Sequence, residues 1–270
     1  MSERARFALL PALGVSPSTA EVVAGVLDRA LDDAAHRAAA EGRLVTVLDA
    51  GCGRMSALHP FRDRIGHLVG VDIHAPAPGA ISHLDEFVVA DLCVDGSAFE
   101  SETFDLVLSS FTLEHFGEPL AALANLARWT RPGGTLVATT VNRRHPFVAA
   151  YLDMPVGLRA RLQPIVKATA ADAHPLVGAC NDPRAVARAL RASGWSEIRV
   201  ATVGHLARAW GRTWPTYVAG LIGDVATRGM PPRRSTIVAV ATKRVAEKPP
   251  GAADAADAGG GPAMAPVSPA

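Results

Sequence analysis

Short apolar runs alternate along this chain with longer segments whose apolar residues recur every three or four positions. Leu44-Val45-Thr46-Val47-Leu48-Asp49-Ala50 is the first such run, rich in β-branched residues and closed by the turn Gly51-Cys52-Gly53-Arg54. It predicts a buried strand entering a tight turn, where glycines permit positive φ and a close approach of ligand to backbone. Leu68–Asp72, Glu86–Ala90 and Phe104–Ser110 repeat the pattern as strands, and Thr135–Val141 follows the break Arg131-Pro132-Gly133-Gly134 as a fifth. Helices are predicted from Ser18 or Thr19 to about Ala40, from Pro119 to Trp129, and from an Asp182 cap to Ser193, with Gly194 beyond. Ser196–Val203 and Ser235–Thr242 read as the last two strands, with a helical segment Leu206–Arg228 between them. Strands alternating with amphipathic helices predict an α/β fold built on a parallel, doubly wound sheet.

Three segments break the rhythm. Residues 1–43 form an N-terminal helical segment, and 246–270 collapse to Ala, Pro, Gly and Asp, predicting a disordered tail. Between them, 44–245 is one domain. Its stretches at about 143–181 and 205–230 are apolar without a strand pattern and are read as helical covers.

Carboxylates close the strands. Asp49, Asp72 and Asp91 all fall at predicted strand ends, the edge where open α/β sheets bind ligands. Asp72 lies nineteen residues after Gly53, the spacing at which a glycine turn supports a nucleoside and an acid takes its ribose hydroxyls. A net charge of +1 gives no bulk reason to bind nucleic acid or anionic lipid. Three cysteines, at 52, 93 and 180, offer neither metal-ligand spacing nor a disulfide framework, and a cytoplasmic setting suits them. No metal is expected. Arg4 and Arg6 before Phe7–Leu13 superficially resemble a signal peptide, but Pro11 breaks the apolar run, so a segment packed on the domain is expected instead. No apolar run reaches the length of a membrane span.

Taken together, Asp49-Ala50-Gly51-Cys52-Gly53, Asp72, Asp91-Leu92, Phe104-Asp105-Leu106-Val107, Leu113-Glu114-His115 and Arg131-Pro132-Gly133-Gly134 resemble the class I S-adenosylmethionine-dependent methyltransferases. The resemblance is closest to their small-molecule, quinone and lipid branch and covers about Leu44 to Lys243. It implies a Rossmann-like, seven-stranded, mostly parallel sheet, the last strand antiparallel and inserted beside the sixth. It also implies S-adenosyl-L-methionine as cofactor. In that case Asp49 reaches the amino group, the Gly51-Cys52-Gly53 backbone lies under the methionine end, and Asp72 takes the ribose hydroxyls. Ile73 packs on adenine or ribose, Asp91 and the Leu92 backbone read the adenine edge, and Ser109 meets the cofactor through its backbone. His115 is the candidate base, unless it only orders its loop. The implied partner is a small-molecule acceptor, apolar to judge by the covers, with neither nucleic acid nor membrane insertion.

Two departures bear on the cofactor. Met55 stands where the family has a third glycine, which keeps a catalytically inactive, methyltransferase-like binding protein as the alternative. Ser56 stands where a nicotinamide fingerprint needs its third glycine, and Asp49 would repel a pyrophosphate. A nicotinamide oxidoreductase is disfavoured accordingly.

Overall fold

A computed structural model describes residues 7, 10–15, 17–53, 56–75, 81–159, 161, 180–211 and 213–245. Strands β1 (Thr46–Ala50), β2 (His67–Asp72), β3 (Glu86–Val89), β4 (Phe104–Ser110), β5 (Thr130–Val141), β6 (Trp195–Val203) and β7 (Thr236–Lys243) form one sheet in the order β3-β2-β1-β4-β5-β7-β6. The first five pair in parallel, and β7 runs antiparallel to both β5 and β6. The expected seven-stranded, doubly wound sheet is the observed one.

Helix α1 (Thr19–Ala40) begins with a capping box. Ser18 Oγ accepts from the Glu21 amide, and the Glu21 carboxylate accepts from the Ser18 amide. Its inward stripe of Val23, Leu27, Leu31 and Ala34 packs on one sheet face with Val47, Leu106, Leu108 and Val137. The opposite face is covered by α2 (Pro119–Trp129) and α4 (Pro183–Ala192), whose Leu123, Leu126, Val186 and Leu190 meet Leu48, Val107 and Leu136. Burial on both faces explains why β1, β2 and β4 read as continuous apolar runs instead of alternating ones.

Two boundaries differ from expectation. β5 starts at Thr130, not Thr135, because Thr130 already pairs with Phe104 before the register shifts ahead of Leu106. The Pro-Gly-Gly break is thus absorbed as an irregularity within the strand, with Gly133 at φ 75°. The segment Leu206–Arg228 is two helices, α5 (Leu206–Ala209) and α6 (Trp214–Thr227). Thr213 caps the second, and Pro215 occupies its first turn, which a continuous helix would not tolerate. Buried Asp224 on α6 accepts from the amides of Leu206 (3.1 Å) and Ala207 (2.8 Å), so the pieces are tied by a carboxylate at the start of α5.

Leu10, Val15, Ala207 and Tyr217 form a third apolar cluster, with Phe7 against it, so the described part of the N-terminal segment packs on α5 and α6 as expected. Within 143–181, the segment read as a cover, the described residues contain α3 (Pro146–Leu152), whereas 162–179 and the 246–270 tail lie outside the described residues. Among the described residues, no helix is long and apolar enough to cross a membrane.

Candidate active site

The strand order reverses between β1 and β4, and the carboxyl-terminal edge there is where an open sheet of this kind leaves a crevice. β1 delivers Asp49, which is 2% exposed, two residues before the first glycine of the turn. Gly51 at φ 75° and Gly53 at φ 52° take the left-handed conformations that the turn needs. The Gly51 and Cys52 amides donate to the Val71 carbonyl (2.7 and 3.2 Å), hanging the turn from the end of β2. Gly53 donates to Asp72 Oδ2 (3.0 Å), while Asp72 Oδ1 accepts from the His74 amide (3.2 Å).

Among the described residues, one oxygen of Asp49, Oδ2, is buried without a hydrogen-bond partner. Desolvation is the chief reason its pKa is pushed up to about 7; the neighbouring Asp72 charge adds to this and the Ser56 hydroxyl opposes it. Burial likewise pushes the Cys52 thiol up to about 12, with the Asp49 and Asp72 charges contributing, so this cysteine is an inert wall and not a nucleophile. A deeply buried acid with an unpaired oxygen beside a bare glycine turn suits a cationic group on the ligand. A Cβ built on Gly53 meets nothing within 4 Å, so backbone there is open to close approach.

The remaining predicted residues fall along the same edge. Asp91 follows β3, its Oδ1 accepting from the Cys93 amide (2.8 Å) and its own amide donating to Asp95 (2.6 Å). The side chain therefore holds the loop it stands on. Leu92 is buried in the core, and its carbonyl accepts from the Asn125 side chain (3.0 Å). Ile73 is 49% exposed immediately past Asp72. Ser109 is fully buried near the end of β4, its hydroxyl without a partner. His115 closes the 3-10 turn Leu113–His115, its amide bonded to the Thr112 carbonyl (2.9 Å). Met55 lies outside the described residues. Asp105, part of the recognised pattern, is at the opposite sheet edge, where it binds Arg43.

Several residues at this edge carry no signal in the sequence. Thr112 arches over the glycine turn with its hydroxyl shared between the Ala50 and Ser110 carbonyls (3.3 Å each). A Cβ on Gly51 would lie 2.5 Å from Thr112 Oγ1. Gly51→Ala is therefore expected to clash and strain φ together, lowering stability by about 1–3 kcal/mol. A denaturant titration checks it, and pairing with Thr112→Ala, which removes both the Oγ1 and the Cγ2 that the new Cβ would meet, should recover only the steric part. Phe111 also has positive φ, at 54°. Glu114, which does belong to the recognised pattern, is a buried carboxylate accepting from Thr140 (2.8 Å). Nothing in a Ser-Phe-Thr-Leu stretch announces a left-handed phenylalanine.

The sheet order and this crevice define the Rossmann-like class of nucleoside-cofactor enzymes. The chain belongs to the S-adenosylmethionine-dependent methyltransferases: the family described as "Methyltransferase domain" matches residues 23–219. Over 170 residues it is 32% identical to the nocamycin O-methyltransferase of Saccharothrix syringae, covering 57% of this chain and 60% of that protein. The ubiquinone biosynthesis O-methyltransferase of Haemophilus ducreyi is 28% identical over 133 residues, covering 46% of this chain and 55% of that one. The matched region thus spans a little over half the length of these curated relatives. Among solved structures, a chain from the complex of the Haloferax volcanii Trm112 methyltransferase activator with a methyltransferase superposes at TM-score 0.51 and 19% identity, over 85% of this chain and 96% of that one. This last likeness concerns the fold.

Proposed function

We propose that this protein transfers a methyl group from S-adenosylmethionine to a small, largely apolar organic molecule, at an oxygen atom. The observation that carries the reading is the buried Asp49 carboxylate, one oxygen unpaired, beside the Gly51–Gly53 turn. The oxygen acceptor is suggested by the names of the two curated relatives.

When bound, the cofactor supplies an electrophilic methyl on a positively charged sulfur. Asp49 holds the ammonium of its amino-acid end, and the Gly51-Cys52-Gly53 backbone gives that end room. Asp72 accepts from the two ribose hydroxyls, its carboxylate already oriented by the amides of Gly53 and His74. Asp91 and Leu92 bound the adenine on the β3 side, Ile73 covers it, and Ser109 lines the crevice floor. An in-line displacement asks little covalent work of the protein, so catalysis rests on alignment and exclusion of water. His115 takes the proton when the acceptor is a hydroxyl. The described residues of the covers read at 143–181 and 205–230 shape the acceptor's pocket.

Calorimetry with S-adenosylmethionine tests this reading. Asp72→Ala is expected to weaken binding about 30-fold or more, the loss of two charge-assisted hydrogen bonds. No heat from the parent protein would end the methyltransferase reading in favour of a partner-binding role.

A further inference from the structure

Among the described residues, eight buried side-chain polar atoms lack a hydrogen-bond partner, and five cluster at the site edge: Asp49 Oδ2, Ser109 Oγ, His145 Nε2, Asn181 Nδ2 and His205 Nδ1. Unpaired buried polar atoms are rare enough that each needs a cause. Asp49 and Ser109 lie on β1 and β4, in the half assigned to the cofactor. Asn181 is accounted for by its amide orientation. The Thr140 hydroxyl has one hydrogen, yet it faces both Glu114 Oε2 (2.8 Å) and Asn181 Oδ1 (3.3 Å). Turning the amide over lets Asn181 donate to Thr140, which donates to Glu114. His145 is accounted for by the Gly223 backbone: its Nδ1 accepts from the Phe147 amide (3.2 Å), and the Gly223 backbone hydrogen-bonds the ring against the burial that lowers its pKa. His205 is left.

We infer that His205 and Phe111 form the seat of the methyl acceptor, a planar ring bearing a hydroxyl that stacks on this pair and hydrogen-bonds His205 Nδ1. The inference rests on the methyltransferase reading above and names its substrate class.

Position comes first. The Phe111 amide donates to both the carbonyl and the hydroxyl of Thr139 (3.0 Å each), holding a phenylalanine in a left-handed conformation that L side chains rarely adopt. The next residue, Thr112, touches the Gly51 turn, so Phe111 stands between the cofactor half and the β5-β7-β6 half of the edge. Its ring stacks on the His205 imidazole, with centroids 5.5 Å apart and planes at 29°.

His205 is fixed in turn. It follows β6, its amide donates to Ser235 Oγ (2.8 Å), and its carbonyl accepts from Arg208 and Ala209 (3.1 and 2.9 Å) at the start of α5. Burial, and secondarily the Arg208 charge, lowers its pKa to about 4, so the ring is neutral at working pH. A neutral imidazole presents a donor at one nitrogen and an acceptor at the other. An ammonium could serve only an accepting Nδ1 and a carboxylate only a donating one, whereas a hydroxyl suits either tautomer. A flat ring is what the exposed side of an aromatic pair receives best.

The test uses the full chain with S-adenosylhomocysteine present and catechol as probe, read by the His205 ring resonances in NMR. Catechol is expected to shift them saturably, and trans-1,2-cyclohexanediol is not. His205→Phe keeps a stacked ring but removes the nitrogen, and should weaken catechol at least tenfold. His205→Asn should recover part of the affinity. In both variants the affinity for S-adenosylmethionine should stay within twofold of the parent. Catechol binding equally well to His205→Phe, or failing to bind a parent that binds S-adenosylmethionine, overturns the seat alone. Failure of the parent to bind S-adenosylmethionine overturns the underlying reading and the seat with it.

Discussion

Replacing Asp49 by Asn is expected to raise the melting temperature of the ligand-free protein and to cost S-adenosylmethionine binding a hundredfold or more. Both effects come from one buried carboxylate. Its pKa, raised by desolvation to about 7, means that the folded chain holds a proton the unfolded chain has already released. Stability is therefore lost as pH rises from the ordinary carboxylate range through 7. Above that, the ionised group costs the ligand-free fold up to about 4 kcal/mol. Asparagine keeps the shape without the charge and should recover about half of this, roughly 4–8 °C at pH 8 for a chain of this size. The same charge is what a ligand's ammonium would meet in a dry site. Deleting one partner of such a pair costs about 2–5 kcal/mol of binding, and 100-fold is about 2.7 kcal/mol. Between pH 5 and 7, binding to the parent should release a proton and tighten by up to about tenfold per pH unit, whereas the variant's affinity should be flat. Calorimetry in two buffers of different ionisation enthalpy, with thermal melts at pH 6 and 8, checks each part. A variant that binds normally would remove Asp49 from the site.

The second large effect lies at the other end of the strands. Asp105 is 1% exposed, and its carboxylate accepts two bonds from Arg43 (2.6 and 2.7 Å) and one from the Thr46 amide (2.9 Å). Arg131 stands farther off, at 3.5 Å. Arg43→Ala leaves a buried charge with its main partner gone, an expected loss of about 3 kcal/mol, or 6–12 °C in melting temperature. Because this pair is at the amino ends of β1 and β4, affinity for S-adenosylmethionine should be unchanged. Denaturant unfolding and calorimetry on the same variant separate the two quantities.

The contrast between these two aspartates shows what a sequence displays and what it hides. The placement of Asp49 and Asp72 at one sheet edge was legible because it depends on distance along the chain: a strand, a turn, a crossover and another strand fix the spacing. Asp105 lies in the recognised pattern too, but its partner is 62 positions away, and pairing at that range is invisible to local periodicity. The α1 capping box could be read from Ser18 and Glu21, three residues apart. The split between α5 and α6 was signalled by Pro215, yet the apolar content of the segment masked it. His205 and Phe111 were beyond reach. Each looks ordinary among its neighbours, and only the sheet brings them together, from 94 residues apart.

The placement of β7 carries a consequence for how the chain is made. The β3-β2-β1-β4-β5 half is complete once residue 141 has emerged from the ribosome, but β6 has no neighbour until residues 236–243 slide in between it and β5. For the intervening stretch of synthesis two strand margins stand open at once, the arrangement most inviting to a wrong partner. A nascent chain halted anywhere from about residue 205 to 235 should be the form that chaperones hold longest.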